Sequence, residues 1–367
     1  MLDDTIYALT TGGGRSAVAV LRVSGAIAGD ILSAITDRPL PAPRRAVRRF
    51  LRDPVSAEAI DEALVLWFPA PASFTGEDVA ELHVHGGRAV IEAIGRVLAG
   101  LGARPAEAGE FTRRAFHAGK LDLTQAEAIA DLVAAETEAQ RRQALRQMAG
   151  DLGRIYDGWR ERLVTLSARA EAAIDFPEED LPPGLLSEVS AGAAALAGEM
   201  AAHLADGRRG ERLRDGLHVA ILGAPNAGKS SLLNALVGRG AAIVHPAAGT
   251  TRDVIEVALD IGGWPVVLAD TAGLREAEGP VEAEGVRRAR ERAAGADLKL
   301  LVFDASHPPD AETTALVDAD AIVVLNKADL VASEATFPAA AVTCLASALS
   351  GAGIANLARA IGDQAAA

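Results

Sequence analysis

Gly223-Ala-Pro-Asn-Ala-Gly-Lys-Ser230 carries the spacing Gly-x4-Gly-Lys-Ser, and its flanks decide the fold around it. Leu217-His-Val-Ala-Ile-Leu222 is a short apolar run ending at the first glycine, and Ser231-Leu-Leu-Asn-Ala-Leu236 has helical spacing. A strand, a tight glycine turn and a helix N-terminus bring several backbone N–H groups and the positive helix end around one phosphate. Lys229 is placed to reach the outer phosphates and the Ser230 hydroxyl to take one Mg2+ position. Asn226, Ala227, Gly228 and Ser231 complete the cradle. The expectation is an α/β domain that binds a nucleoside triphosphate with Mg2+.

Such a loop serves ATP and GTP alike, so the base must be read elsewhere. Asn326-Lys-Ala-Asp329 follows the apolar run Ala321-Ile-Val-Val-Leu325, at the end of a buried parallel strand where such sheets bind ligands. The Asp329 carboxylate can accept from guanine N1–H and its exocyclic amine together. Adenine has no such amine and presents a lone pair at N1, a mismatch that can cost a factor of ~10^4. Lys327 and Ala328 complete the turn, and Ser347-Ala348-Leu349, after Ala341-Val-Thr-Cys344, is expected to support the base from behind. Between these elements Asp270-Thr271-Ala272-Gly273 follows Trp264-Pro-Val-Val-Leu-Ala269, another strand. Asp270 would hold Mg2+ through water and the Gly273 N–H would meet the γ-phosphate. Gly249-Thr250-Thr251-Arg-Asp253 follows the first helix as a switch segment that brings Thr251 to the metal. The order and spacing predict a GTPase domain over the last ~150 residues.

Hydrolysis cannot follow the Ras-like route, in which a glutamine orients the attacking water. The residue after Asp-Thr-Ala-Gly is Leu274, which holds no water. Arg252 and Arg275 lie in the switches, but no arginine stands in an obvious finger position. A polar residue from elsewhere is needed, and Glu282 and Glu284 are the candidates. Asn226 offers a side-chain oxygen to a monovalent cation.

Length, 367 residues with 50% hydrophobic content, gives room for two or three cored domains. The start, Met1-Leu-Asp-Asp4, lacks the basic and apolar regions of a signal peptide, and no apolar run approaches the ~20 residues of a membrane span. The single cysteine, Cys344, rules out an intramolecular disulfide and fits the cytoplasm; its apolar surroundings place it in the core. A net charge of −14 is unusual for a chain gripping RNA phosphates unaided, so a partner is expected to supply much of any RNA-binding surface. The clusters Arg44, Arg45, Arg48, Arg49, Arg52 and Arg208, Arg209, Arg212, Arg214 read as solvated faces or linkers.

Upstream, Leu145, Met148, Leu152, Ile155, Trp159, Leu163, Leu166, Ala170 and Ile174 recur at gaps of three and four. They predict a long amphipathic helix within 121–175, broken in two at Gly150, Gly153 or Gly158. Leu186 to Leu204 repeats the period as a partner helix. Residues 1–120 are of mixed character, with strands at Ala17–Val23, Ala63–Phe68 and Val79–His85 and a helix at Ala89–Leu98. His83 and His85 share one strand face, but a third ligand is lacking, so the reading is structural rather than metal-binding.

Asp4-Thr-Ile-Tyr-Ala-Leu-Thr-Thr11, Leu21-Arg-Val-Ser-Gly25, Ser73-Phe-Thr-Gly-Glu-Asp78, His85-Gly-Gly87, Gly109-Glu-Phe-Thr112 and Lys120-Leu-Asp-Leu-Thr-Gln-Ala-Glu-Ala-Ile-Ala-Asp131 resemble the tRNA modification GTPase family MnmE (TrmE), as do Ala115-Phe116 and Glu171-Ala-Ala-Ile-Asp-Phe-Pro177. The resemblance runs from residue 3 to about 360. It implies a multidomain protein: an α+β folate-binding-type domain that dimerises (1–120), an α-helical middle domain (121–215) and a Ras-like α/β P-loop GTPase domain (216–367). It implies a homodimer, and 5-formyltetrahydrofolate or a related one-carbon folate held by Arg22, Glu81 and Lys120. It implies K+ held by Asn226 with His245, Ala247 and Thr250, in a segment where Pro246 and Ala248 also border the nucleotide. Glu282 falls at the position that orients water, with Asp270 beside it in catalysis. The family works with an FAD-dependent partner subunit (the MnmG/GidA family) to add a (carboxymethyl)aminomethyl group at C5 of the wobble uridine in certain tRNAs.

The family pattern continues past the GTPase domain into a helical segment ending Cys-x-Gly-Lys, so the helical domain here is expected to be incomplete. His245 stands where Ser or Thr is usual, and Leu349 where Lys or Arg is usual. Two competing readings follow. One is a GTP- and folate-binding dimer without modification activity. The other is a ribosome-assembly GTPase switch, which shares the nucleotide signature but not the first 120 residues.

Overall fold

The computed structural model describes residues 4–175, 184–206, 208–239, 241–243, 255–270, 295–330 and 342–366. Within the chain two compact units form: residues up to Ala130 with Gln147–Gly153, and Asp131–Arg146 with Arg154 onward.

The first unit is built on a six-stranded sheet. Its elements are β1 (Ile6–Leu9), β2 (Ser16–Ser24), α1 (Ala28–Thr36), β3 (Val47–Arg52), β4 (Ala59–Phe68), β5 (Val79–Gly86), α2 (Arg88–Gly100), β6 (Arg104–Pro105), α3 (Glu110–His117) and the start of α4 (Leu123–Ala134), whose residues from Asp131 onward belong to the second unit. The strand order is β3-β4-β5-β2-β1-β6, antiparallel except for the β1–β6 pair. Period-two alternation fixes which face is covered. Ala19, Leu21 and Val23 of β2 and Ala80, Leu82 and Val84 of β5 join the buried cluster containing Ile31, Ile35, Ile94 and Leu98 of α1 and α2. Arg22, Glu81, His83 and His85 take the alternate positions on the other face. Helix α4 starts at a reciprocal cap. Asp122 Oδ1 accepts from Gln125 N at 2.7 Å while Gln125 Oε1 accepts from Asp122 N at 3.0 Å.

The expected helix over 121–175 is three helices: α4, α5 (Glu138–Met148) and α6 (Asp151–Asp175). The first break has a physical cause at Thr137 and Gln140. Gln140 Oε1 accepts from Thr137 N at 3.0 Å, and Thr137 Oγ1 accepts from Gln140 N at 3.4 Å, so a second helix is capped afresh. The second break is Gly150, whose φ of +85° a helix cannot accommodate. Gly153 and Gly158 stay inside α6, which corrects the expectation that any of the three could interrupt it. The partner helix is α7 (Leu185–Asp206), tied to α6 by the Arg162–Glu199 ion pair and by Trp159 and Tyr156 ringing His203. The second basic cluster lies on a helix, α8 (Arg208–Asp215), where Arg212 meets Asp297 and Arg214 meets Asp131.

A seven-stranded sheet forms the rest of the second unit: β7 (Leu217–Leu222), α9 (Lys229–Val237), β8 (Ala241–Ile243), β9 (Ile255–Ile261), β10 (Trp264–Asp270), β11 (Leu298–Asp304), α10 (Ala311–Thr314), β12 (Ala321–Asn326), β13 (Val342–Leu345) and α11 (Ile354–Ala366). The order β13-β12-β11-β7-β10-β9-β8 is parallel from β13 to β10. Leu217, Val219 and Ile221 pack into one core cluster and Ala220 and Leu222 into another, so β7 is covered on both faces. That double burial is why it reads as a continuous apolar run. Cys344 is 9% exposed in the larger cluster, and burial pushes its thiol pKa up, as a core cysteine requires. Among the described residues no helix is long and apolar enough to cross a membrane.

Candidate functional site

The strand order reverses beside β7, and a ligand site of an open α/β sheet forms at such a point, beyond the strand C-termini. The phosphate loop begins there. Gly223 has φ of +156°, and a Cβ on it would come within 2.2 Å of Val302 O on β11. Gly228 has φ of +90°, and a Cβ there would meet Asn326 Nδ2 at 2.2 Å. Both glycines are demanded by backbone and neighbour alike. Asn226 lies between them at φ +62° and is exposed, while Ala227 is buried. Lys229 opens α9 and curls over the loop, donating from Nζ to Gly223 O and Ala224 O at 2.8 Å each. No side chain caps α9, whose N-cap is Gly228, so its first turn faces the loop as an anion-binding end. Ser230 and Ser231 follow on that turn.

Asn326 ends β12 at 1% exposure and is a brace rather than an open base contact. Its Nδ2 donates to Ala227 O at 2.9 Å, and its Oδ1 accepts from Ala348 N at 3.1 Å. One side chain thus joins the phosphate loop to Ser347-Ala348-Leu349. Lys327, at φ +60°, donates from Nζ to Asp304 Oδ2 at 2.7 Å. Burial by itself would raise the Asp304 pKa, but Lys327 and Ser306 hold it well below the usual carboxylate range. Ala328 N donates to Ala346 O, and Asp329 sits exposed on the following turn, Ala328–Leu330. Ser347 is buried and its Oγ accepts from Ser350 N at 3.1 Å, whereas the Leu349 side chain is 89% exposed. Asp270 ends β10 in register with Ile221 of β7, which puts its backbone at the edge that carries the phosphate loop. His245, Pro246, Ala247, Ala248, Gly249, Thr250, Thr251, Thr271, Ala272, Gly273, Leu274 and Glu282 lie outside the described residues.

A second constellation occupies the open face of the first unit's sheet. Arg22 on β2 donates from Nε and Nη2 to the same Glu81 oxygen on β5, at 3.0 and 2.8 Å. His83 Nε2 lies 3.5 Å from the other oxygen. The Arg22 guanidinium lies over the Phe74 and Phe111 rings, 5.4 and 5.5 Å from their centroids. Lys120 donates to Pro71 O at 2.8 Å. The segment from Pro71 to Asp78 therefore touches two of the three expected folate residues.

The polar density of Ser73-Phe-Thr-Gly-Glu-Asp78 has local reasons. Thr75 Oγ1 and Ser24 Oγ are 2.8 Å apart, and Ser24 Oγ donates to Glu77 Oε2 at 2.7 Å. Asp78 Oδ1 accepts from Ala70 N at 2.7 Å. Gly76 has φ of +81° and sits where a Cβ would meet Ala118 Cβ at 3.0 Å. Beneath it Arg114, 2% exposed in its side chain, bridges Glu77, Glu110 and Asp4, and Arg104 grips Glu110 from β6. The Arg104 guanidinium holds the Glu110 pKa down at about 2 despite its burial. Phe74, Phe111 and this ion network were not legible as site components, because their roles depend on contacts far apart in sequence. The histidines bear no metal cluster: His85 Nδ1 pairs with Asp61 Oδ1 at 2.7 Å, and among the described residues no group of three ligating side chains forms.

Comparison with known proteins reaches nearly the whole chain. The family model for the GTP-binding protein TrmE N-terminus matches residues 5–120, and that for the MnmE helical domain matches residues 123–367. A tRNA modification GTPase MnmE of Paramagnetospirillum magneticum is 61% identical over 335 residues, covering 91% of this chain and 76% of that protein. A 5-taurinomethyluridine-[tRNA] synthase subunit GTPB3, mitochondrial, of Danio rerio is 55% identical, covering 90% of this chain and 70% of that one. The solved G domain of the T. maritima FeoB iron transporter is 24% identical over 41% of this chain and 98% of its own, with a TM-score of 0.31, too low to bear on function.

Proposed function

This chain belongs to the MnmE (TrmE) family of tRNA modification GTPases, and we propose from that premise that it acts with an FAD-dependent partner subunit on the wobble uridine. It is a GTPase whose substrate class is tRNA. The finer reaction is addition of a (carboxymethyl)aminomethyl group at C5 of that uridine. The observation that carries this reading is that one chain holds both a phosphate loop braced by Asn326 and a Pro71–Asp78 segment that touches Arg22 and Lys120. The Lys120 ammonium is exposed and donates to a neutral carbonyl, Pro71 O, which suits an anionic folate tail. A one-carbon folate would supply the carbon unit there. We further propose three functional domains, 1–120, 121–215 and 216–367, a homodimer, and a cytoplasmic location.

In the nucleotide site, Lys229 and the first turn of α9 would bind and orient the outer phosphates. Ser230 and Thr251 would hold Mg2+, with Asp270 behind them, and Asn226 would hold K+ with His245, Ala247 and Thr250. The exposed side chain of Asn226 sits on the loop's outer rim, which is consistent with that role. Bound K+ supplies the positive charge that an arginine finger supplies elsewhere. Glu282 would orient water, because Leu274 cannot. Hydrolysis is expected to run in KCl and to fall at least about tenfold in NaCl, and Glu282→Ala to lower kcat while leaving GTP affinity largely intact. Equal rates in the two salts would remove Asn226 from this role, and an unchanged kcat would make Glu282 a loop acid.

The reaction itself is tested by combining this chain with the FAD-dependent partner, tRNA, GTP and 5-formyltetrahydrofolate, and reading uridine products by nucleoside mass spectrometry. Modified uridine that depends on GTP is the expected result. Hydrolysis with no modified nucleoside would favour a GTP- and folate-binding dimer instead.

A further inference from the structure

We propose that Phe74 and Phe111 are positioning residues of the one-carbon site, acting through Arg22; the inference rests on the folate reading of that site. The two rings come from different elements, the loop before β5 and the first turn of α3, and both lie within cation–π range of one guanidinium. The sheet supplies a third restraint. Arg22 and Glu81 are direct cross-strand partners of β2 and β5, and Arg22 spends its Nε and one Nη on a single oxygen of Glu81.

A guanidinium has five N–H donors in a rigid fork. Two are taken by Glu81, and the rings limit how the rest of the fork can turn. The remaining donors are therefore held in one direction at a cation that is only 25% exposed. Partial desolvation strengthens whatever hydrogen bond those donors make to an acceptor on a ligand. A flat heterocycle with carbonyl or ring-nitrogen acceptors, such as the pterin of a folate, fits that preorganised edge. Phe74 is 37% exposed, so its ring borders solvent as well as Arg22 and can also line the entry. The loop that carries Phe74 is fixed from below by Thr75, Glu77 and Arg114, which holds the ring in place before any ligand arrives.

The test is calorimetric titration of the full chain with 5-formyltetrahydrofolate. Phe74→Leu and Phe111→Leu are each expected to weaken binding about tenfold, and Phe74→Tyr, which keeps the ring, to stay within about twofold of wild type. In an Arg22→Gln background Phe74→Leu should cost less than about twofold, because the ring acts through the cation. Hydrogen exchange of β2 and β5 amides, measured on the same samples, reports that the first unit of each variant is folded. Unchanged affinity in both leucine variants, or a tyrosine variant as weak as the leucine one, overturns the proposal. So does an equal loss from Phe74→Leu with and without Arg22→Gln; the tyrosine comparison decides alone if Arg22→Gln abolishes binding. Absence of binding by the wild-type chain would instead bring down the folate reading, and this inference with it.

Discussion

Asp329→Asn is expected to lower affinity for GTP by roughly three to four orders of magnitude and to transfer preference to xanthosine triphosphate. On the proposed reading the carboxylate would accept from two guanine N–H groups, whereas an amide can accept from one while presenting a donor to the other. Xanthine carries a carbonyl where guanine carries the amine, so the amide finds an acceptor there. The structure makes the experiment clean, because Asp329 is exposed and its neighbour Asn326 does the bracing. Folding should therefore be undisturbed. Competition binding with the two nucleotides is the measurement, and an equal loss for both would show that Asp329 does not read the base.

Glu110→Gln is expected to cost the first unit about 3 kcal/mol, since removing one charge from a buried pair leaves the others poorly compensated. Glu110 is fully buried between Arg104 and Arg114, and Arg114 also ties Glu77 and Asp4. The pH dependence has a definite sign. The folded pKa of about 2 lies below the ordinary 4.5, so the carboxylate contributes its full stability above about pH 4.5. That contribution is lost as the pH falls from 4.5 toward 2. Wild type and variant should converge in that window and diverge above it. Hydrogen exchange of β1 and α3 amides under increasing urea reads the first unit separately from the second. Parallel curves with no convergence at low pH would mean that Glu110 is not the titrating group.

The phosphate loop is legible in order and spacing alone. Gly223, Gly228 and Lys229 declare a phosphate loop because a backbone cradle around a phosphate needs two glycines and a lysine at those intervals, and the structure gives each glycine a named obstacle in Val302 or Asn326. Asn326 ends a strand in sequence pattern and structure alike, but its bracing is not legible in the sequence. That it spans from Ala227 to Ala348 is a contact across some hundred residues, which no local pattern encodes. The helical stretch shows the reverse. Periodicity at gaps of three and four marked the helices, yet the break before α5 belongs to the Thr137–Gln140 cap, an i,i+3 signal that an apolar stripe conceals.

By itself the sequence determined the alternation of strand faces, the phosphate loop, the turn that follows β12 and the core position of Cys344. Those are local matters of side-chain period, backbone conformation and polarity. Tertiary structure alone decided that Phe74, Phe111 and Glu81 converge on Arg22, and that Arg114 locks the loop beneath them. The physical reason is that these groups matter through distance and burial, and both are set by strands and helices that meet only after the chain has folded.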